Sequence, residues 1–184
     1  RIDDLVKAAA KDGQPAVAVT DLSNLFGAVK LYSAARKKGV QPIIGADVWI
    51  EPEESGKTPT RLLLLIQNRQ GYLRLCELLG EAWTAPGQRS HAWVHWASLA
   101  ANNAGLICLS GADLGSIGQA LINGDAAKAE AQATRLAETF PGRFYIELQR
   151  AGHPTNETHI RGAVPLAAKL GLPVVATHPI QFST

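Results

Sequence analysis

Methionine is absent from all 184 residues, and cysteine occurs only twice, at Cys76 and Cys108. Two cysteines in apolar stretches, one in each, do not make a disulfide framework, so the sequence predicts small buried hydrophobes in a reducing compartment. Without an initiator, it reads as a piece of a longer chain. No apolar run approaches the roughly 18 residues of a membrane span, the longest being Leu62 to Ile66, which predicts no membrane association. The start is interrupted by Asp3, Asp4 and Lys7, unlike a secretory signal. Charge of one sign is also missing: 18 basic against 16 acidic residues leave +2, which excludes a basic nucleic-acid arm or an acidic tail. What remains is ordinary globular composition, 46% hydrophobic and 18% charged, enough for one domain with a sizeable core.

Helix and strand signals alternate. Asp3 or Asp4 caps a first helix that Gly13 stops. Strand 16–20 (Ala-Val-Ala-Val-Thr) reads as buried on both faces, and Asn24 starts a second helix with Leu25, Val29, Tyr32 and Ala35 inward. A strand at 42–45 either continues or turns into 47–50, and a polar loop, 51–60, leads to strand 62–66. A helix capped by Asn68 follows, with Tyr72, Leu75, Leu78 and Leu79 inward. Strand 106–109, a helix over Ile117 to Ile122, an Ala-rich helix capped by Asp125, strand 144–148, a helix ended by Gly171 and strand 173–176 complete the chain. Strands separated by helices predict parallel pairing, in a doubly wound sheet or a closed (β/α) barrel. No Gly-x-Gly-x-x-Gly follows a strand, which weakens dinucleotide binding.

Chemistry in either architecture collects at the carboxyl ends of the strands. Asp21 and Asp47 sit there, as metal carboxylates or, for Asp21, as a cap or loop brace. Ser110-Gly111 is either a turn or a backbone anion site. His91 and His95, four apart with Trp93 and Trp96 interleaved, would share a helix face and hold a metal, or serve packing. His153 and His159 read as solvated. His178 is the best placed histidine, at a strand end. Arg36-Lys37-Lys38 is the only dense basic run, either a phosphate contact or a helix C-terminus. No Ser/His/Asp set, cysteine nucleophile motif or P-loop appears, and the expected active-site rim is chemically poor.

The segment 15–27 (PAVAVTDLSNLFG), with 41–48 (QPIIGADV), 68–75 (NRQGYLRL), 105–111 (GLICLSG), 144–150 (FYIELQR) and 171–177 (GLPVVAT), resembles the polymerase and histidinol phosphatase (PHP) domain at the N-terminus of bacterial DNA polymerase III α subunits. Order and spacing agree over essentially all 184 residues, read as one domain fragment. The resemblance implies a distorted (β/α)7 barrel of the α/β class, incomplete at both ends: the family's opening His-x-His strand would precede Arg1, and the domain would continue past Thr184.

Active members of the family bind up to three metal ions through His, Asp, Glu and Cys at the strand ends. Set against that pattern, Asp21 is kept, and Leu22 stands for a histidine. Asp47 stands for a glutamate and Arg61 for a histidine. Ala112 replaces a cysteine and Ala151 a histidine, while the closing Asn-Asp-x-His has become His178-Pro179-Ile180-Gln181. Leu, Ala and Pro cannot coordinate a metal, and an arginine puts positive charge where a cation would sit. The expectation is therefore no metal, catalytic or cofactor site here, with Asp21, Asp47 and His178 as the only residual ligands.

The implied role is structural support of a replicative polymerase and docking of its proofreading exonuclease subunit. The Trp93–Trp96 segment is a candidate docking patch. In the intact protein, the palm domain would hold Mg²⁺, and other replisome subunits and primer-template DNA would bind elsewhere, in the bacterial cytoplasm. The alternative is a metal-dependent phosphoesterase or proofreading nuclease with a residual metal site, and direct DNA binding by this segment is disfavoured by its charge.

Overall fold

The computed structural model describes residues 1–52, 57–85 and 92–179. Helix α1 (Ile2–Lys11) leads to β1 (Ala16–Leu22), α2 (Ala28–Lys37) and β2 (Gln41–Ile50). Next come β3 (Thr60–Ile66), α3 (Arg69–Thr84), the two-residue β4 (Trp93–Val94), α4 (Trp96–Ala101) and β5 (Leu106–Leu109). After a 3-10 turn over Ala112–Leu114 come α5 (Ser116–Ile122), α6 (Ala126–Thr139), β6 (Phe144–Gln149), α7 (Asn156–Leu170) and β7 (Val174–Thr177).

The caps follow local chemistry. The Asn68 side chain accepts from Gly71 N at 3.0 Å and the Asp125 side chain from Lys128 N at 2.9 Å, each satisfying an orphan amide of a first helical turn. Gly171 ends α7 in the left-handed conformation, φ 64°. Asp3 and Asp4 do not cap α1: Arg1 holds that position without a side-chain bond, and the two aspartates lie in the first turn, where their charge favours the helix dipole.

Among the described residues, seven strands form one open sheet in the order β1-β2-β3-β5-β6-β7, with β4 paired beside β2. Pairing is parallel for β1–β2, β5–β6 and β6–β7, as the alternation predicts. It is antiparallel on both sides of β3, a correction to the all-parallel expectation. The reason lies in the length of the connection, since β2 ends at Ile50 and β3 starts at Thr60, too short a stretch for the crossover that a parallel pair needs.

Strand alternation divides the sheet into two faces. Ala46, Val48, Leu62, Leu64, Leu106, Cys108, Phe144 and Ile146 point outward into the main core beneath α3, α5, α6 and α7. A smaller cluster of Val6, Leu31, Ala35 and Val40 packs α1 and α2 onto β1 and β2. Cys108 is buried and Cys76 exposed on α3.

Three inward assignments are corrected. Val29 and Tyr32 are exposed, and the buried side of α2 is Ala28, Leu31 and Ala35. The phase differs because the helix starts late. Asn24 turns the chain first, accepting from Phe26 N at 2.9 Å and donating to Leu22 O at 2.8 Å, with Ser23 at φ 53°. Tyr72 is likewise exposed, while Leu75, Leu78 and Leu79 are buried as expected.

Candidate functional site at the strand ends

The face of the sheet opposite the main core carries residues of the other alternation, Asp47 on β2, Arg61 and Leu63 on β3, and Glu147 and Gln149 on β6. They line a cavity of about 420 Å³, together with Thr20, Asp113, Ala151, His153, Thr177, His178 and Pro179. The cavity lies at the carboxyl ends of β1, β2, β6 and β7, where the sequence places the chemistry.

Its charged centre is the pair of Arg61 and Asp47. Arg61 Nε donates to Asp47 Oδ1 at 2.7 Å, and its Nη2 bonds the second carboxylate oxygen, a bidentate fork. The register explains the contact. Arg61 pairs directly with Trp49 across the antiparallel ladder, and Asp47 is the diagonal neighbour on the same face. The guanidinium also stacks over the Trp49 ring, 4.6 Å from its centroid.

Glu147 is the second acid, almost fully buried. Its carboxylate accepts from Gly111 N at 3.1 Å, from the Gln149 amide at 3.1 Å and from the Thr177 hydroxyl at 2.5 Å. Burial pushes its pKa above the usual carboxylate value and the Asp47 charge adds to this, while the Thr177, Gln149 and Gly111 bonds oppose it. Gly111 is required where it stands: its φ is +77°, and a Cβ there would lie 2.2 Å from Arg61 O. Of the two readings of Ser110-Gly111, the turn holds, and the anion on the Gly111 amide is the chain's own Glu147. Ser110 Oγ meanwhile accepts from Glu147 N at 2.9 Å.

At the other rim, Asp113 is buried and gathers the loop before α7. The Thr155 hydroxyl donates to its Oδ2 at 2.5 Å, and His153 Nδ1 lies 3.0 Å from the same oxygen. Asn156 Oδ1 accepts from Ala151 N at 2.9 Å and His153 N at 3.2 Å, holding the turn closed.

The residues singled out from the sequence divide cleanly. Asp47, Arg61, Ala151, His178 and Pro179 meet in the cavity. Asp21 does not line it, because its carboxylate accepts from Gly27 N at 2.7 Å and braces the β1–α2 turn. Leu22 is half exposed, and Ala112 is buried in the 3-10 turn at φ 48°. Gln181 and His91 lie outside the described residues. His95 and Trp93 are not on a helix: Trp93–Val94 is a strand beside β2, and His95 precedes α4 with Nδ1 on the Glu51 carboxylate. His159, expected in solvent, is fully buried, and among the described residues neither ring nitrogen has a hydrogen-bond partner. Burial lowers its pKa, and Asp113 opposes the shift. Trp93 and Trp96 are only partly accessible, Trp96 lying beneath Arg135 at 4.2 Å.

Glu147, Asp113 and Thr177 were missed by sequence reasoning. Glu147 carried a signal, as the one charged residue inside the strand Phe-Tyr-Ile-Glu-Leu-Gln, at the alternation opposite Phe144 and Ile146. Among the described residues, no group of three or more His, Cys, Asp or Glu side chains is placed to hold a metal ion.

Residues 1–151 match the family described as the PHP domain. The chain is 44% identical over 185 residues to the DNA polymerase III subunit alpha of Pseudomonas aeruginosa, covering 99% of this chain and 16% of that protein. With the subunit alpha of Neisseria meningitidis serogroup A it shares 46% identity over 189 residues, with the same coverage, and with that of Escherichia coli 39% over 178 residues, 97% of this chain and 15% of that protein. The chain thus spans about one sixth of the length of these relatives.

Among solved structures, an amidohydrolase from Chromobacterium violaceum, with bound sulfate and no metal, superposes with a TM-score of 0.65 at 15% identity, over 98% of this chain and 81% of that one. A protein assigned as a metal-dependent phosphoesterase from Bifidobacterium adolescentis gives 0.60 at 13% identity, over 95% and 80%. At that identity the likeness shows a shared fold, the incomplete barrel of this architecture. The chain belongs to the PHP domain family, and its sequence matches the PHP region of DNA polymerase III α subunits.

Proposed function

We propose that this chain is a non-catalytic PHP domain of a replicative DNA polymerase III α subunit, one that supports the polymerase and docks its proofreading exonuclease subunit. The observation that carries the reading is the Arg61 guanidinium seated on the Asp47 carboxylate at the strand ends. A fixed positive charge takes the place of a divalent cation and uses both oxygens of the best remaining ligand. Four other family positions are filled by Leu22, Ala112, Ala151 and Pro179, whose side chains have no donor atoms, Gln181 stands at a further one, and Asp21 is spent on Gly27 N. A hydrolytic centre needs several converging ligands and an open position, and these residues do not fit one.

On this reading the intact protein extends primers with deoxynucleoside triphosphates in the bacterial cytoplasm. Mg²⁺ would sit in a palm domain outside this chain, and primer-template DNA and other replisome subunits would engage the remainder of the protein. A domain without its own nuclease needs a partner to remove mismatches, which is the physical sense of an exonuclease docking role.

The test is removal of a 3′-terminal mismatch from a primer by the full-length polymerase subunit with Mn²⁺ or Zn²⁺ and no nucleotides. No removal is expected from the subunit alone, and removal on adding the exonuclease subunit. Removal by the polymerase subunit alone, abolished by Asp47→Asn, would establish the phosphoesterase alternative instead.

A further inference from the structure

The geometry points to one flank of α2 as a docking surface for an acidic, apolar segment of a protein partner. The inference rests on the proposed docking role and adds to it the surface and the chemistry of what it receives. Phe26, Val29 and Tyr32 follow one another three residues apart, from the turn before α2 into the helix, and their exposures are 88%, 75% and 51%. Val29 and Tyr32 share a side of α2, and Phe26 stands in the turn that leads directly into it. Trp83, 61% exposed, adjoins that turn by donating from Nε1 to Ser23 O at 2.8 Å. Four large apolar side chains exposed around one turn and helix mark an interaction surface rather than scattered surface hydrophobes.

Within the segment that carries Phe26, Val29 and Tyr32 the charge has one sign. Between Asp21 and Asp47 the sequence contains Lys30, Arg36, Lys37 and Lys38 and no acidic residue. Both flanking aspartates are engaged, Asp21 by Gly27 N and Asp47 by Arg61. The complement of an apolar stripe with a basic rim is a segment that carries apolar anchors between acidic residues.

Single-stranded nucleic acid also seeks aromatic and basic residues together, but two features favour protein. The Arg36 guanidinium lies over the Tyr32 ring, 5.8 Å from its centroid, and occupies a face on which a base would stack. The centre of the stripe is Val29, which offers packing and no π-face.

The experiment measures binding of the purified exonuclease subunit to the full-length polymerase subunit, by surface plasmon resonance at two salt concentrations. The Phe26→Ser/Val29→Ser variant is expected to bind at least about tenfold more weakly. The Lys30→Glu/Arg36→Glu variant is expected to weaken binding at low salt and to flatten its salt dependence. Primer extension at the wild-type rate shows that the variants are folded. If wild type binds and both variants bind within about twofold of it, this surface is wrong while exonuclease docking stands. If wild type does not bind, the docking reading fails and this inference with it. If the Phe26→Ser/Val29→Ser variant instead loses affinity for a thymidine oligonucleotide with exonuclease binding unchanged, the occupant is nucleic acid and the proposal is overturned.

Discussion

The two faces of this sheet are built from alternate residues of the same strands, yet they obey different rules. On the convex face Val48, Leu64, Cys108 and Ile146 are fully buried, each beside an equally apolar neighbour. On the concave face the intervening positions hold Asp47, Arg61, Glu147 and Gln149, and every one of these is bonded to another residue of the cavity wall. The convex face stabilises by excluding water, while the concave face has polar groups that must be satisfied individually. A catalytic rim would leave some of them free for substrate or metal, whereas these four are bonded to one another and to the cavity wall, which is what supports the proposed non-catalytic reading.

Breaking the convex face should cost most. Ile146→Ala removes a fully buried side chain from the centre of the main core and is expected to destabilise by about 2–5 kcal/mol in urea unfolding. Gln149→Ala, on the same strand but facing the concave side, should cost less than about 1 kcal/mol.

The next largest effect falls on the charged centre. Arg61→Leu leaves Asp47 without its partner beside buried Glu147, and a loss of roughly 1–3 kcal/mol is expected, smaller than for a fully buried pair because both side chains keep some solvent contact. A neutral result would mean that the fork is a surface ornament and not the closure of the site.

His159 sharpens the same contrast from α7, since it is a polar group placed where the convex-face rule applies. Its two unpartnered nitrogens cost stability, so His159→Leu is expected to be neutral or up to about 1 kcal/mol more stable at neutral pH. The sign with pH is definite. A histidine whose folded pKa lies below its unfolded value of about 6.5 gives up stability as pH falls through that range, because the unfolded chain takes the proton more readily. Acid unfolding below about pH 6.5 should therefore be shallower in the His159→Leu chain than in wild type.

Glu147 runs the opposite way and is the smallest of the four effects. Its folded pKa is raised, so the folded chain holds the proton longer, and stability is lost as pH rises from about 4.3 through the folded value. Glu147→Gln, which can keep its contacts if the Gln149 amide turns over, should remove that loss. An identical pH profile in wild type and variant would show that Glu147 is ionised alike in both states.

Much of this was legible because it is local. Asn68, Asp125 and Gly171 marked their helix ends through side chain and backbone chemistry within four residues, and strands 42–50, 62–66 and 106–109 were visible as apolar runs. The reversal of β3 was readable too, since only a short polar stretch separates it from β2, but the general expectation of parallel pairing overrode that detail. The phase of α2 was not legible, because one Asx turn at Asn24 moved the helix start and rotated Val29 and Tyr32 to the surface. For the site, Asp47 and His178 were found from their places at strand ends and Arg61 through the family pattern. The Arg61–Asp47 fork was not, because a diagonal cross-strand contact depends on a register that only the folded sheet provides. Asp113 and Thr155 meet across 42 residues of chain, and nothing in either neighbourhood signals the other.

The central claim is that Asp47 belongs to Arg61 and not to a metal. The most direct test is calorimetric titration of Zn²⁺ and Mn²⁺ into the full-length polymerase subunit and its Asp47→Ala variant. The account predicts superimposable isotherms, since any metal bound elsewhere in the protein is common to both. A saturable, stoichiometric site tighter than about micromolar in wild type and missing from Asp47→Ala, some 8 kcal/mol of binding free energy, would contradict it and restore a metal centre to these strand ends.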